Sequence, residues 1–121
     1  MRASRGEIKI EEILTEAGLN FKEELSFEGL NSSNGRPLRW RFDFAIFDDD
    51  GNIDFLIEYQ GRQHYEPSSK FGGKKGFYQQ QFNDAKKRRF CQLHDIKLIE
   101  ISYKDENLIS YDYIMKRAYG W

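Results

Sequence analysis

Residues 38–60 read Leu38-Arg39-Trp40-Arg41-Phe42-Asp43-Phe44-Ala45-Ile46-Phe47, then Asp48-Asp49-Asp50-Gly51-Asn52, then Ile53-Asp54-Phe55-Leu56-Ile57-Glu58-Tyr59-Gln60. In the first segment Leu38, Trp40, Phe42, Phe44 and Ile46 alternate with Arg39, Arg41, Asp43 and Ala45. Side chains along a strand point to opposite faces in turn, so this alternation predicts a strand over Leu38–Phe47. The run Asp48–Asn52 is tight-turn chemistry, because Asp and Asn hydrogen-bond their own backbone and Gly tolerates positive φ. The next run, Ile53–Tyr59, is then expected to return antiparallel, as the second arm of a hairpin.

Working outward from the hairpin, Phe21–Phe27 reads as a short amphipathic strand, and the composition of Asn31-Ser32-Ser33-Asn34-Gly35 is that of a loop. A helix is predicted over Ser4–Ala17. Ser4 and Glu7 have capping-box spacing, Ile10, Ile13, Leu14 and Ala17 repeat at helical intervals, and Gly18 supplies the stop. On the other side, Gly61 to Gly76 reads as a loop around Pro67 and the pair Gly72-Gly73. A second helix is expected over Phe77–His94, with Tyr78, Phe82, Ala85, Phe90 and Leu93 inward. The nearly continuous apolar run Ile96–Ile101 reads as a central strand, and Leu108–Tyr119 as a third helix with Ile109, Tyr113, Met115 and Lys116 to one side. The order helix, three strands, helix, strand, helix predicts one α/β layered domain over residues 1–121.

Bulk properties narrow the class. A chain of 121 residues with 39% hydrophobic, 32% charged and 16% aromatic residues can build one core. The lone Cys91 excludes an intramolecular disulfide framework or a Cys-only zinc site, and is expected to be a buried core residue. The sequence contains no membrane-length apolar stretch and opens without a signal-peptide core, so an intracellular protein with no membrane partner is expected. The net charge is −1, yet the stretch from Gln60 to Gln92 holds eight Lys and Arg residues (Arg62, Lys70, Lys74, Lys75, Lys86, Lys87, Arg88 and Arg89) against Glu66 and Asp84. Such a segment suits either a polyanion-facing surface or an ordinary solvated helix and loop.

Two acids sit where a packing strand has no use for them. Asp43 lies between Phe42 and Phe44; Glu58 closes the run Phe55-Leu56-Ile57, with Gln60 on the same face. Carboxylates on adjacent strands repel, and burying them is costly unless they are paired or bound to metal. Mg²⁺, which takes one or two carboxylates and several waters, is one resolution. The other is that both acids face solvent on a polar side of the sheet, paired with Arg39 or Arg41.

Taken together, Ser4-x-Gly6-Glu7-x-x-Ile10, Phe42-Asp43-Phe44, Ile57-Glu58-Tyr59-Gln60-Gly61-x-Gln63-His64-Tyr65, Phe71-Gly72-Gly73, Asp84-x-x-Lys87-x-x-Phe90-Cys91 and Ile96-x-Leu98-Ile99-x-Ile101-x-Tyr103 resemble PD-(D/E)xK nucleases. The similar branch is that of very-short-patch repair endonucleases and phage or intron homing-endonuclease catalytic domains. The resemblance implies a restriction-endonuclease-like α-β-β-β-α-β core with a mixed sheet and an added C-terminal helix. It also implies a Mg²⁺-dependent DNA endonuclease, with Mn²⁺ substituting, of homing or repair and nicking type. The alternatives are a junction-resolving nuclease and a catalytically inactive DNA-binding module on the same fold.

The catalytic set so implied is Glu7, Asp43, Glu58, Gln60, His64 and Asp84, with Asp43 and Glu58 holding the metal and Glu11 as rival to Glu7. Gln60 stands where the family has Lys and can neither neutralise charge nor act as a base, so His64 becomes the expected proton acceptor. DNA contacts are expected from Arg39, Arg41, Arg62, Lys70, Lys74, Lys75, Lys87 and Arg88, the loop lysines being carried on a segment made mobile by Gly72, Gly73 and Gly76. Lys87 is expected to point toward the site. Sequence specificity would come from the chain's own loops, a homodimer or an additional DNA-binding domain, and the expected setting is the cytoplasm of a bacterial or phage-infected cell.

Overall fold

The computed structural model describes residues 4–27 and 40–121. Helix α1 (Arg5–Glu16) is followed by strands β1 (Asn20–Phe27), β2 (Trp40–Phe47) and β3 (Ile53–Gln60), helix α2 (Gly73–Leu93), strand β4 (Lys97–Ser102) and helix α3 (Tyr111–Tyr119). The chain is therefore α/β, with a four-stranded mixed sheet in the order β1-β2-β3-β4. β1–β2 and β2–β3 are antiparallel, the latter being the expected hairpin, and β3–β4 is parallel across the α2 connection.

Apolar side chains cover both faces of the sheet. On one face Phe44, Ile46, Phe55, Ile57, Ile99 and Ile101 pack against Ile10 and Leu14 of α1 and Ile114 and Met115 of α3. On the other, Phe42, Ala45 and Leu56 meet Cys91 of α2, with Phe90 and Leu98 alongside. The sheet thus has no broad polar face for Asp43 and Glu58, and Ala45, expected on such a face, is fully buried.

Phe42 departs from the simple alternation by joining the α2 side instead of the side that takes Phe44 and Ile46. The cause is local. Described pairing of β2 with β3 runs only as far as Phe44↔Ile57. In β1 the register passes from Glu23↔Phe44 to Leu25↔Phe42, so Glu24, in the left-handed region at φ 54°, lies opposite Asp43. The described β2–β3 ladder thus ends at Phe44, next to Asp43.

Several boundaries and faces differ from the sequence expectation. α2 begins at Gly73, not Phe77, because Gly72 at φ 88° turns the chain directly into a helix whose first turn includes Gly76. Lys74 and Lys75 therefore stand on a helix and not on a glycine-rich loop. The inward side of α2 is also different: Asp84 and Cys91 are buried, while Tyr78, Phe82 and Leu93 are 63%, 46% and 72% exposed and Ala85 is exposed. β4 occupies an edge of the described sheet instead of its centre. α3 starts at Tyr111, capped by Ser110, whose hydroxyl accepts the Tyr113 N–H at 3.1 Å; a 3₁₀ segment, Tyr103–Leu108, precedes it.

Candidate functional site

The site forms where the described β2–β3 ladder ends. With the ladder interrupted, the Asp43 side chain takes over as acceptor: its Oδ2 receives the Tyr59 backbone N–H at 2.8 Å. This bond fixes the carboxylate against β3, next to Glu58, which is 7% exposed. Two acids are thus brought together, Glu58 buried and Asp43 half-buried. Burial is the main reason the Asp43 carboxyl is pushed up to about 6; the charge on Glu7 also raises it, against the Tyr59 N–H, Lys87 and His64. Burial also raises Glu58, to about 8, with Asp43 next, opposed by Lys87.

α2 supplies the other half through residues spaced along one helical face. Lys87 reaches in and donates from Nζ to Glu58 Oε1 at 3.0 Å and to the Arg41 carbonyl at 2.8 Å. One turn earlier, Asp84 Oδ2 meets His64 Nδ1 at 2.9 Å, both side chains being about nine-tenths buried. Gln80 donates to the other Asp84 oxygen at 3.1 Å. A neutral His64 ring that donates from Nδ1 to this carboxylate carries its lone pair on Nε2, the arrangement of an oriented base. His64 lies in a one-turn 3₁₀ segment, Arg62–His64, directly after β3.

Glu7 enters from α1. Its N–H is capped by Ser4 Oγ at 3.2 Å, and the Ser4 hydroxyl donates back to its Oε1 at 3.1 Å. A close approach brings this first turn onto β3: Gly6 is buried, and a Cβ there would lie 2.1 Å from the Tyr59 ring. Glu7, Asp43, Glu58, His64, Asp84 and Lys87 are thereby within electrostatic reach as one cluster. A groove of about 600 Å³ lined by Lys9, Glu12, Ile13 and Ile109 contains none of them. A smaller one of about 140 Å³, lined by Gln63, Phe77 and Gln80, adjoins the His64–Asp84 pair through Gln80.

Gln60 belongs to a different network. Its Nε2 donates to Glu100 of β4 and its Oε1 accepts from the Tyr65 hydroxyl at 2.6 Å, so its amide is committed away from Glu58. Glu100 also receives Arg88 Nε at 2.6 Å and a second guanidinium nitrogen at 2.7 Å. Sequence reasoning missed Glu100, Tyr65 and Gln80. An acid inside the apolar run Ile96–Ile101 was a signal for Glu100, and the place of Tyr65 directly after His64 in the quoted motif was one for Tyr65; Gln80 gave none.

Among the other expected DNA contacts, Arg41 pairs with Glu24 at 3.5 Å and Arg62 with Glu66 at 2.7 Å, all on the surface. Lys70, Lys74 and Lys75 are exposed. Arg39 lies outside the described residues.

Among the described residues no three His, Cys, Asp or Glu side chains form a ready-made metal cage. Asp43 and Glu58 nevertheless fit a hard cation that binds few carboxylates and retains water, because Glu58 is buried and Asp43 half-buried, burial raises both carboxyls, and the charge on Asp43 raises Glu58 further.

No protein-family model matches the chain, and no solved structure matches it. It is similar to the uncharacterized protein 094L of Frog virus 3 (isolate Goorha), 47% identical over 62 residues that cover 50% of this chain and 40% of that protein. It is also similar to the uncharacterized protein 307L of Invertebrate iridescent virus 6, 35% identical over 66 residues covering 54% of this chain and 34% of the relative. The match thus spans less than half the length of these two viral proteins.

Proposed function

We propose that the chain is a metal-dependent DNA endonuclease of the PD-(D/E)xK type, with a restriction-endonuclease-like core, hydrolysing phosphodiester bonds. The observation that carries this reading is the Asp43–Glu58 pair at the end of the described β2–β3 ladder, faced by the hydrogen-bonded His64–Asp84 pair. Mg²⁺ or Mn²⁺ would be held by Asp43 and Glu58; when bound, such a cation polarises the phosphate and acidifies water. His64, oriented by Asp84, accepts the proton of the attacking water at Nε2. Lys87 brings the positive charge that Gln60 does not, stabilising the negative charge that builds up on the pentavalent phosphate. Glu7 keeps the carboxylate end of the cluster negative and hence selective for a cation. Both relatives are viral proteins, and an infected cell is the setting we propose.

Supercoiled-plasmid cleavage with Mg²⁺ or Mn²⁺, run beside EDTA and Asp43→Ala controls and with mismatched and branched duplexes, tests the reading. Metal-dependent nicking or linearisation that disappears in both controls is the expected result; preferential cutting of branched duplex would mark a junction-resolving enzyme. One observation favours a second reading, a DNA-binding module without catalysis: the Lys87 ammonium already neutralises Glu58, at 3.0 Å. That reading requires every substrate to stay intact while salt-sensitive binding persists.

A further inference from the structure

We propose that the outer face of α2 binds an unpaired DNA strand, its bases stacking on Tyr78 and Phe82 and its phosphates meeting the surrounding Lys and Arg side chains. At about 100° per residue, Lys74, Lys75, Tyr78, Phe82, Ala85, Lys86, Arg89 and Leu93 fall within roughly one third of the helix circumference. Four of these residues are basic and none is acidic. The opposite side carries Gln80, Asp84, Lys87 and Cys91 toward the site and the core, so it cannot also bury this face.

Two aromatic rings one turn apart on a single helix face form a patch that a partner can cover. Tyr78 is 63% and Phe82 46% exposed. The ring of Phe82 lies 4.6 Å from Lys86 Nζ, and that of Tyr78 lies 5.8 Å from Phe77. Aromatic rings interleaved with basic residues are what a single strand requires, because every unpaired base offers a π face and every linkage a phosphate. A duplex would meet the basic groups but keep its bases stacked away from the rings. A second copy of this chain would set Lys74, Lys75, Lys86 and Arg89 against their own like charges, which disfavours that occupant. Tyr78 and Phe82 are four residues apart, about 6 Å along the axis, room for successive bases of an extended strand.

The proposal rests on the reading above that DNA is the substrate, but needs no catalysis. It is tested by fluorescence anisotropy in EDTA with a labelled 20-nucleotide single strand and a blunt duplex of the same sequence. Wild-type protein is expected to prefer the single strand. Tyr78→Ala combined with Phe82→Ala should weaken that binding about 10–100-fold and leave duplex binding within about twofold, since each stacked base contributes roughly a factor of ten. Lys74→Gln with Lys75→Gln should weaken both and flatten the salt dependence. All four side chains are exposed, and unchanged thermal melts will show that the variants fold. Undiminished single-strand affinity in the aromatic variant overturns the proposal. So does a duplex preference, or a loss of self-association as the variant's only effect in sedimentation. Failure of the nuclease reading would appear separately, as intact plasmid in the presence of metal.

Discussion

Asp43 and Glu58 retain protons in the folded chain at pH values where the unfolded chain has released them, because their carboxyls are pushed up to about 6 and about 8 from 3.8 and 4.5. Proton linkage then gives the sign: with more protons bound in the native state, stability falls as pH rises through this window. Asp43→Asn keeps an oxygen for the Tyr59 N–H and removes the charge. In EDTA at pH 8 it should raise Tm by about 4 °C, the effect of a change of ~1 kcal/mol in a domain between the small and the mid-sized class, and the gain should shrink as pH falls toward 4. A melt series across pH checks this; a gain that grows on acidification would contradict it. Lys87 is tested through rate. Lys87→Met keeps the stem and removes the cation, and kcat of the proposed phosphodiester cleavage should drop about 10²–10³-fold. At pH 6 the same variant should melt near the wild-type temperature, because Glu58 can take up a proton in place of its lost partner. Unchanged kcat would remove Lys87 from the proposed reaction. Position 43 was legible as a chemical residue from its place between Phe42 and Phe44. The role of Lys87 was only partly so, since four consecutive basic residues, Lys86–Arg89, look equivalent until the helix phase is known.

At the level of elements, the junction of α1 with β3 sets the distance between Glu7 and Asp43. Gly6→Ala would force a methyl to within 2.1 Å of the Tyr59 ring, a clash with the rigid side of an aromatic and not with a flexible chain end. The expected cost is about 1–3 kcal/mol, with activity lost beyond what the fall in stability explains, because α1 must lift away from the sheet. Calorimetry paired with cleavage at a temperature where the variant is folded separates the two effects. The glycine was visible in the sequence, but its reason was not: it lies in Tyr59, 53 positions away. α2 teaches the opposite lesson. Its apolar residues gave the expected inward face, and the fold uses the other one, because Asp84 and Lys87 have partners in His64 and Glu58 while Tyr78, Phe82 and Leu93 have room only outside. A buried polar residue with its hydrogen bonds made is no longer a reason to face water.

For the whole molecule, the proposed cation and the protons on Asp43 and Glu58 compete for the same oxygens. Mg²⁺ should therefore raise Tm more at pH 8 than at pH 5, by up to roughly 2.7 kcal/mol of added stability at a hundredfold excess over Kd. A thermal-shift titration decides it, and no shift at either pH favours the non-catalytic module. The pattern of the sequence by itself determined the order of elements, the β2–β3 hairpin, the capped first helix and the presence of two acids within apolar strands. These follow from periods of two and 3.6, turn residues and the cost of burying charge, all of which act between near neighbours in the chain. Only the tertiary structure decided that the described β2–β3 ladder ends next to Asp43, that Gln60 turns to Glu100 and Tyr65, and that α2 presents Asp84 and Lys87 inward. Each of those outcomes depends on a partner remote in sequence, and the free energy of a polar side chain is set by whichever partner the fold brings within hydrogen-bond distance.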